Sequence, residues 1–380
     1  MEIPLSYEML RVIWWGLLGV LLIGFAATDG FDLGVAGLLP LVARTDTERR
    51  IAINTVGPTW EGNQVWLILG GGAIFAAWPQ VYAVSFSAFY LAMFVVLAAL
   101  ILRPVGFKYR SKRADPRWRS FWDYALFVGG FVPALIFGVA VGNVLVGAPF
   151  RIDETMRIYW EGHFFGLLNP FALLCGLLSV SMLFLHGATW LSMKAEHGPV
   201  RDRARALAPR LALASMALFA IGGVWIAFAD FGYVASAVDP AGPSNPLLTE
   251  TVREGGAWLN NYAAHPWMMA APALGFGGAL AAMLGLRINS ESLAFLGSKL
   301  SVVGIISTVG LSMFPFILPS SIDPASSLTV WNSSSSQTTL FIMLVTTVIF
   351  LPIVLAYTAW AFKVMWGRVT ADQVQSGDYY

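Results

Sequence analysis

Carboxylates embedded in apolar sequence are the residues of this chain best suited to chemistry. Asp29 and Asp32 interrupt a long apolar run in Thr28-Asp29-Gly30-Phe31-Asp32-Leu33-Gly34, and i, i+3 spacing sets both on one helix face. A charge in hydrocarbon is expensive unless it is paired, neutralised or hydrated. Two acids this close favour sharing a proton, which is the chemistry of a proton relay. The plainer alternative is a packing knot in which both hydrogen-bond neighbouring helices. Glu61 is a third such acid. In Pro58-Thr59-Trp60-Glu61-Gly62-Asn63-Gln64-Val65-Trp66 it falls in the first turn of a second run, where the helix dipole favours an anion. Asn63 and Gln64 would extend a polar file. Arg103, before Pro104 at the end of a third run, is either a charge partner for these acids or a basic anchor at the membrane edge.

Other reactive residue types offer less. His186 is the one histidine well inside an apolar run, and with no second histidine at matching depth it reads as a hydrogen-bonded packing residue rather than a haem ligand. The single cysteine, Cys175, excludes a disulfide framework or a cysteine-ligated metal site within the chain. We expect no catalytic residue and no metal site in this chain. Gly30 and Gly34, one turn apart beside the two aspartates, let another backbone approach closely.

The elements that position these acids follow from composition. The 380 residues are 57% hydrophobic and 12% charged, with a mean hydropathy of +0.68, against roughly a quarter charged in soluble domains. That excludes a cytoplasmic globular enzyme, a disordered chain and a coiled coil. A formal charge of +1 argues against nucleic acid as a partner. The expected fold is an all-α polytopic membrane protein forming one integral-membrane domain over 1–380. Nine runs are long enough to span a bilayer: about 10–43, 58–78, 80–103, 120–146, 164–192, 207–230, 264–286, 294–316 and 338–366. The first is too long for one straight crossing and must tilt or protrude at its inner end. The second and third, joined at Trp78-Pro79, read as a tight hairpin. With Glu2 and Glu8 before it and no small-residue cleavage site after it, the first run reads as a retained span rather than a signal peptide.

Basic residues fix a direction. With the N-terminus outside, the outer segments hold only Arg11, Arg151, Arg157 and Arg253, and the other 19 of the 23 Lys and Arg fall at inner segments. The C-terminus is then cytoplasmic, and Asp29, Asp32 and Glu61 all lie toward the inner face. The long outer segments, about 231–263 and 317–337, contain Pro240-Ala241-Gly242-Pro243-Ser244-Asn245-Pro246 and Ser333 to Ser336, and read as ordered caps or as simple connectors.

Seven motifs in order make the chain resemble a known family. Ile13-Trp14-Trp15, the Asp29–Gly34 and Trp60–Trp66 segments, Phe75-Ala76-Ala77-Trp78-Pro79, Arg103-Pro104-Val105-Gly106-Phe107, Gly255-Gly256-Ala257-Trp258 and Met313-Phe314-Pro315-Phe316-Ile317-Leu318-Pro319-Ser320-Ser321 are similar to subunit II of cytochrome bd-type quinol oxidases, including the cyanide-insensitive branch. The resemblance runs from the first span to Gly367-Arg368. It implies two four-helix bundles plus one peripheral helix, in a bacterial inner-membrane complex that oxidises quinol and reduces O2 to water with cytoplasmic protons. It implies haem b and haem d in a partner, subunit I, with no haem ligand here. Some members add a small single-span accessory subunit, and some hold a structural quinone in subunit II. Glu61 matches the family position associated with a proton path toward the oxygen-reducing haem, where some relatives carry Asp, and Lys108 stands where some carry an acid. The expected role is to scaffold subunit I and conduct protons through Glu61, assisted by Asp29 and Asp32. A purely structural assembly subunit and a proton-coupled transporter are the competing classes, although a transporter's paired repeats and broken helices are not evident.

Overall fold

A computed structural model describes residues 3–236 and 238–375. Its helices are α1 Tyr7–Val42, α2 Asp46–Asn54, α3 Trp60–Ala77, α4 Pro79–Ala88, α5 Tyr90–Tyr109, α6 Pro116–Val146, α7 Pro170–Lys194, α8 Pro199–Phe228, α9 Asn260–Ala264, α10 Ala270–Arg287, α11 Glu291–Met313, α12 Gln337–Val364 and α13 Ala371–Gln375. Three small antiparallel pairs lie in the connections: β1 Phe150–Ile152 with β2 Ile158–Trp160, β3 Tyr233–Ser236 with β4 Glu250–Arg253, and β5 Phe316–Leu318 with β6 Leu328–Thr329. Among the described residues, eight helices are long and apolar enough to cross a membrane: α1, α5, α6, α7, α8, α10, α11 and α12. The expected span over 58–78 forms α3, a helix of 18 residues whose first turn is diluted by Glu61, Asn63 and Gln64.

Several expected boundaries are corrected. The third run, expected at 80–103, is two helices parted at Phe89, and α5 continues to Tyr109. The fifth starts at Pro170 rather than 164, and the sixth starts at Pro199 rather than 207, each proline occupying the first helical position where its missing N–H is harmless. The reversal at Trp78-Pro79 is no simple hairpin. The short α4 is interposed, so α3 rests on α1 and α4 while α5 rests on α6.

Helix α1 is central, packing on α3, α6, α7 and α11; α7 packs on α6 and α8, and α10 on α8 and α11. Its 36 residues span about 54 Å at 1.5 Å per residue, against a hydrocarbon core of about 30 Å. Glycines let it come this close to its neighbours. A side chain at Gly34 would meet the Leu183 carbonyl and the backbone of Gly187, and one at Gly30 would meet the Leu183 side chain.

Ion pairs tie the basic ends of the helices together. Arg110, nearly fully buried after α5, donates from Nε to Asp123 at 2.5 Å and from Nη2 to Asp46 at 3.0 Å, while Arg49 reaches Asp123 and Arg119 reaches Asp46. Glu291 accepts from Arg201 and Arg368. Glu48 closes a capping box with Thr45 and also accepts from Arg203 at 2.7 Å. Burial would push the Glu48 carboxyl up, but hydrogen bonds from Arg203 and the backbone N–H groups of Arg44 and Thr45 outweigh it and hold the group below its ordinary value.

The opposite end is an ordered cap, not a set of loose connectors. Arg11 is fully buried, with its guanidinium 3.5 Å from the Tyr7 ring centre. It donates to Ser334 Oγ at 2.8 Å, the Pro240 carbonyl at 2.7 Å and the Gly242 carbonyl at 3.1 Å. Both Pro/Ser-rich segments are thereby gathered onto α1. Trp78, also fully buried, donates to the Val330 carbonyl, and Ser335 bonds the carbonyls of Ala76 and Ala77.

Two outcomes follow. Gly34→Ala lowers the thermal unfolding midpoint of the purified protein, an overpacking cost of about 1–3 kcal/mol. Gly16→Ala, where nothing lies within 4 Å, leaves it unchanged or slightly raised; equal effects would refute close packing at Gly34. Because the Glu48 carboxyl is depressed on folding, its stabilisation is complete above the unfolded carboxyl range and is lost as pH falls through the depressed value. Glu48→Gln therefore flattens the acid limb of a stability–pH profile, and an unchanged limb would refute that contribution.

Candidate functional site

The polar centre of the helix bundle is built by α1, α3 and α5. Asp29 and Asp32 have no exposed surface, and neither does Arg103. Arg103 grips Asp29 with two parallel hydrogen bonds, Nη1 to Oδ2 at 2.8 Å and Nη2 to Oδ1 at 2.6 Å. This is the bidentate geometry in which a planar guanidinium meets a carboxylate best. Room for the arginine comes from α6, where a side chain at Gly129 would strike Arg103 Cγ and the Ala99 carbonyl.

Asp32 is held differently. Its Oδ2 accepts from Asn63 Nδ2 at 2.8 Å, joining α1 to the first turn of α3. Its Oδ1 has no hydrogen-bond partner among the described residues, and the same is true of Arg103 Nε and Trp60 Nε1. Buried polar atoms that the protein leaves unbonded are the ones that ordered water serves.

Glu61 stands apart from this cluster. Two residues along a helix turn the side chain to the far side, so with Asn63 buried against Asp32, Glu61 faces outward with 66% of its side chain exposed. Its ion-pair partner is Lys108 of α5, Nζ to Oε1 at 3.7 Å. Of the three acids, two share one buried site and the third lies on the outer surface of α3. The surrounding face of α3 and α5 is open. Gly62, Gly71 and Gly72 have nothing within 4 Å, and Ile68, Phe94 and Ile101 are largely exposed.

His186 is buried, with Nδ1 2.8 Å from Ser298 Oγ and Nε2 3.2 Å from the Ala27 carbonyl. Its ring stacks on Phe295 at 4.8 Å. Both ring nitrogens are committed to protein atoms, so this residue does not fit the axial ligation of a haem. No group of His, Cys, Asp and Glu among the described residues could hold a metal ion.

Arg11 is one of the buried charges that sequence reasoning missed, with Arg110 and Asp123. It was legible only as an outer-side cation, because its acceptors are hydroxyl and backbone oxygens from segments more than 200 residues away.

Comparison with known proteins agrees over nearly the whole chain. Residues 10–365 match the family model for cytochrome bd terminal oxidase subunit II. The chain is 51% identical over 372 residues to cytochrome bd-I ubiquinol oxidase subunit 2 of Escherichia coli K12, covering 98% of both. It is 30% identical to cytochrome bd ubiquinol oxidase subunit 2 of Bacillus subtilis, covering 95% of this chain and 97% of that one. Its fold is similar to a chain of the bd oxidase from Geobacillus thermodenitrificans, with a TM-score of 0.69 at 17% identity over 94% of this chain and 98% of that one. With the family model matching from the first helix to the end of α12, this chain belongs to the cytochrome bd terminal oxidase subunit II family.

Proposed function

We propose that this chain is the second subunit of a quinol:oxygen oxidoreductase in the bacterial inner membrane, scaffolding a haem-bearing subunit I and supplying a proton path from the cytoplasmic side. The observation that carries the proton path is the buried, asymmetrically bonded pair of acids. Asp29 has both oxygens committed to Arg103, so it fixes charge and orientation. Asp32 keeps one oxygen free of protein donors, and a proton carrier must be able to exchange hydrogen-bond partners. Glu61, outward on α3, is the entry group, and Lys108 beside it holds a counter-charge there.

Haem b and haem d belong to subunit I, in keeping with the committed nitrogens of His186. The open face of α3 and α5 is where subunit I packs: glycines leave room for another helix, and Glu61 and Lys108 are charges that a lipid contact would leave poorly solvated. Nine spans, with α3 as the ninth, form bundles of α1, α3, α5, α6 and of α7, α8, α10, α11, with α12 peripheral. The packing of α5 on α6, α7 on α8 and α10 on α11 is compatible with that grouping, with α7 resting on α1 and α6 as the seam between the two bundles. The concentration of Lys and Arg at the end where α1 finishes supports an N-terminus outside and a C-terminus in the cytoplasm.

One observation favours a second reading, a purely structural subunit: a fully buried bidentate ion pair resembles a lock between helices. Whole-chain identity to oxidase subunits lends the transporter class no support.

Two experiments separate the readings. Glu61→Gln and Asp32→Asn each slow O2 consumption by roughly 100-fold or more, the scale on which a lost proton-transfer group acts, while the reduced-minus-oxidised haem spectrum stays intact. Full turnover in an intact complex would sink the relay. Asp29→Asn strands a buried guanidinium at a cost of about 3–5 kcal/mol, read as a lower yield and unfolding midpoint of the complex. Asp29→Asn with Arg103→Gln recovers much of that loss; additive losses would show that the pair is not coupled.

A further inference from the structure

A cavity of about 270 Å³ opens between α8 and α10 at the basic end of the bundle, lined by Arg205, Pro209, Met283, Leu286 and Arg287. Its charges differ from their neighbours. Arg201 is paired with Glu291, and Arg203 with Glu48. Arg205, by contrast, is fixed by neutral oxygens: Nη2 donates to the Leu286 carbonyl and Asn289 Oδ1, each at 2.7 Å, and Nη1 to Ser192 Oγ at 3.3 Å. These bonds orient the guanidinium without cancelling its charge. Arg287 on the rim and Arg210 next to Pro209 are exposed. Among the described residues, no carboxylate pairs with Arg205, Arg210 or Arg287.

The stripes above the cavity are apolar. On α8, Arg205, Pro209 and Leu213 follow one another at four-residue intervals, and on α10 Leu280, Leu284 and Arg287 share a face. Leu213, Leu280 and Leu284 are each more than half exposed. Both helices therefore present a cation at the membrane edge and leucines one to two turns deeper, with Met283 and Leu286 as the floor between them. Basic pockets between spanning helices suit anionic lipid headgroups.

We propose that this groove is a binding site for an anionic phospholipid, with the phosphate held by Arg205, Arg210 and Arg287 and one acyl chain lying along Leu213, Leu280 and Leu284. The site lies on the α8–α10 side and is independent of the proton path.

The assembled complex, stripped of native lipid by detergent exchange, is titrated with dioleoylphosphatidylglycerol or with dioleoylphosphatidylcholine, and bound lipid is counted by native mass spectrometry. Phosphatidylglycerol is retained under activation that removes phosphatidylcholine. In the double variant Arg210→Gln, Arg287→Gln, which breaks no protein contact described above, phosphatidylglycerol binds roughly thirtyfold more weakly while phosphatidylcholine is unaffected, the scale of two lost headgroup attractions. Equal retention of the two lipids by the parent complex overturns the proposal, as does a double variant that binds phosphatidylglycerol like the parent. Displacement of bound phosphatidylglycerol by millimolar inorganic phosphate also overturns it, by reducing the groove to a bare anion site.

Discussion

A guanidinium and a carboxylate with no exposed surface, set among helices that face lipid, impose the strictest demand in this molecule. Taking two charges out of water costs several kcal/mol for each ion, and their attraction repays that only with near-ideal geometry. Arg103 and Asp29 reach that geometry because helix backbones come close enough to hold them. Gly129 on α6 leaves space for the Arg103 stem, and Gly30 and Gly34 bring α7 against the turn that carries Asp29 and Asp32. The glycines and the ion pair therefore form one device. Without close packing the pair would be loose and wet, and without the pair the helices would have less to fix their register, since lipid offers little hydrophobic drive for one helix to choose another.

Both ends of the bundle repeat the theme with different chemistry. At the basic end, Arg110 is shared between Asp46 and Asp123, so the short α2, the end of α5 and the start of α6 are joined by charge-assisted bonds. At the other end carboxylates are replaced by neutral oxygens, and Arg11 collects two loop segments through a hydroxyl and two carbonyls. The first arrangement ties α2, which follows α1, to α5 and α6, and the second gathers two loop segments onto the start of α1.

Much of this was legible in the sequence, and the illegible part has physical reasons. That long apolar helices dominate the chain was legible from hydropathy, because backbone satisfaction in lipid admits long helices almost alone, whereas the limits of several runs were not. The i, i+3 placement of Asp29 and Asp32 and the close approach at Gly34 also followed from helix geometry. The break at Phe89 did not, because Ser85-Phe86-Ser87-Ala88-Phe89-Tyr90 holds no proline or glycine to mark it. The outward turn of Glu61 was hidden for another reason: an acid in a first helical turn is compatible with either face, and which face is buried depends on where α1 lies. The ordered caps were hidden because their partners are remote in sequence, as the bond between Tyr7 and Ser334 illustrates.

In the proton path proposed above, the separation of the three acids divides the labour between them. A group that both anchors a helix junction and carries protons would have to abandon its anchor at every transfer. Here the anchor is Asp29, whose two oxygens face two N–H groups of Arg103. The unoccupied oxygen belongs to Asp32, which is only one helical turn away and is steadied by Asn63 through its other oxygen. Neutralising Asp32 therefore leaves the Asp29–Arg103 bonds in place, whereas protonating Asp29 would remove the partner of a buried cation. Glu61, on the same first turn as Asn63 but turned outward beside Lys108, is bonded to neither aspartate. The spacing of two residues between Glu61 and Asn63 is thus enough to put an exposed carboxylate and a buried hydrogen-bond donor on opposite faces of one helix.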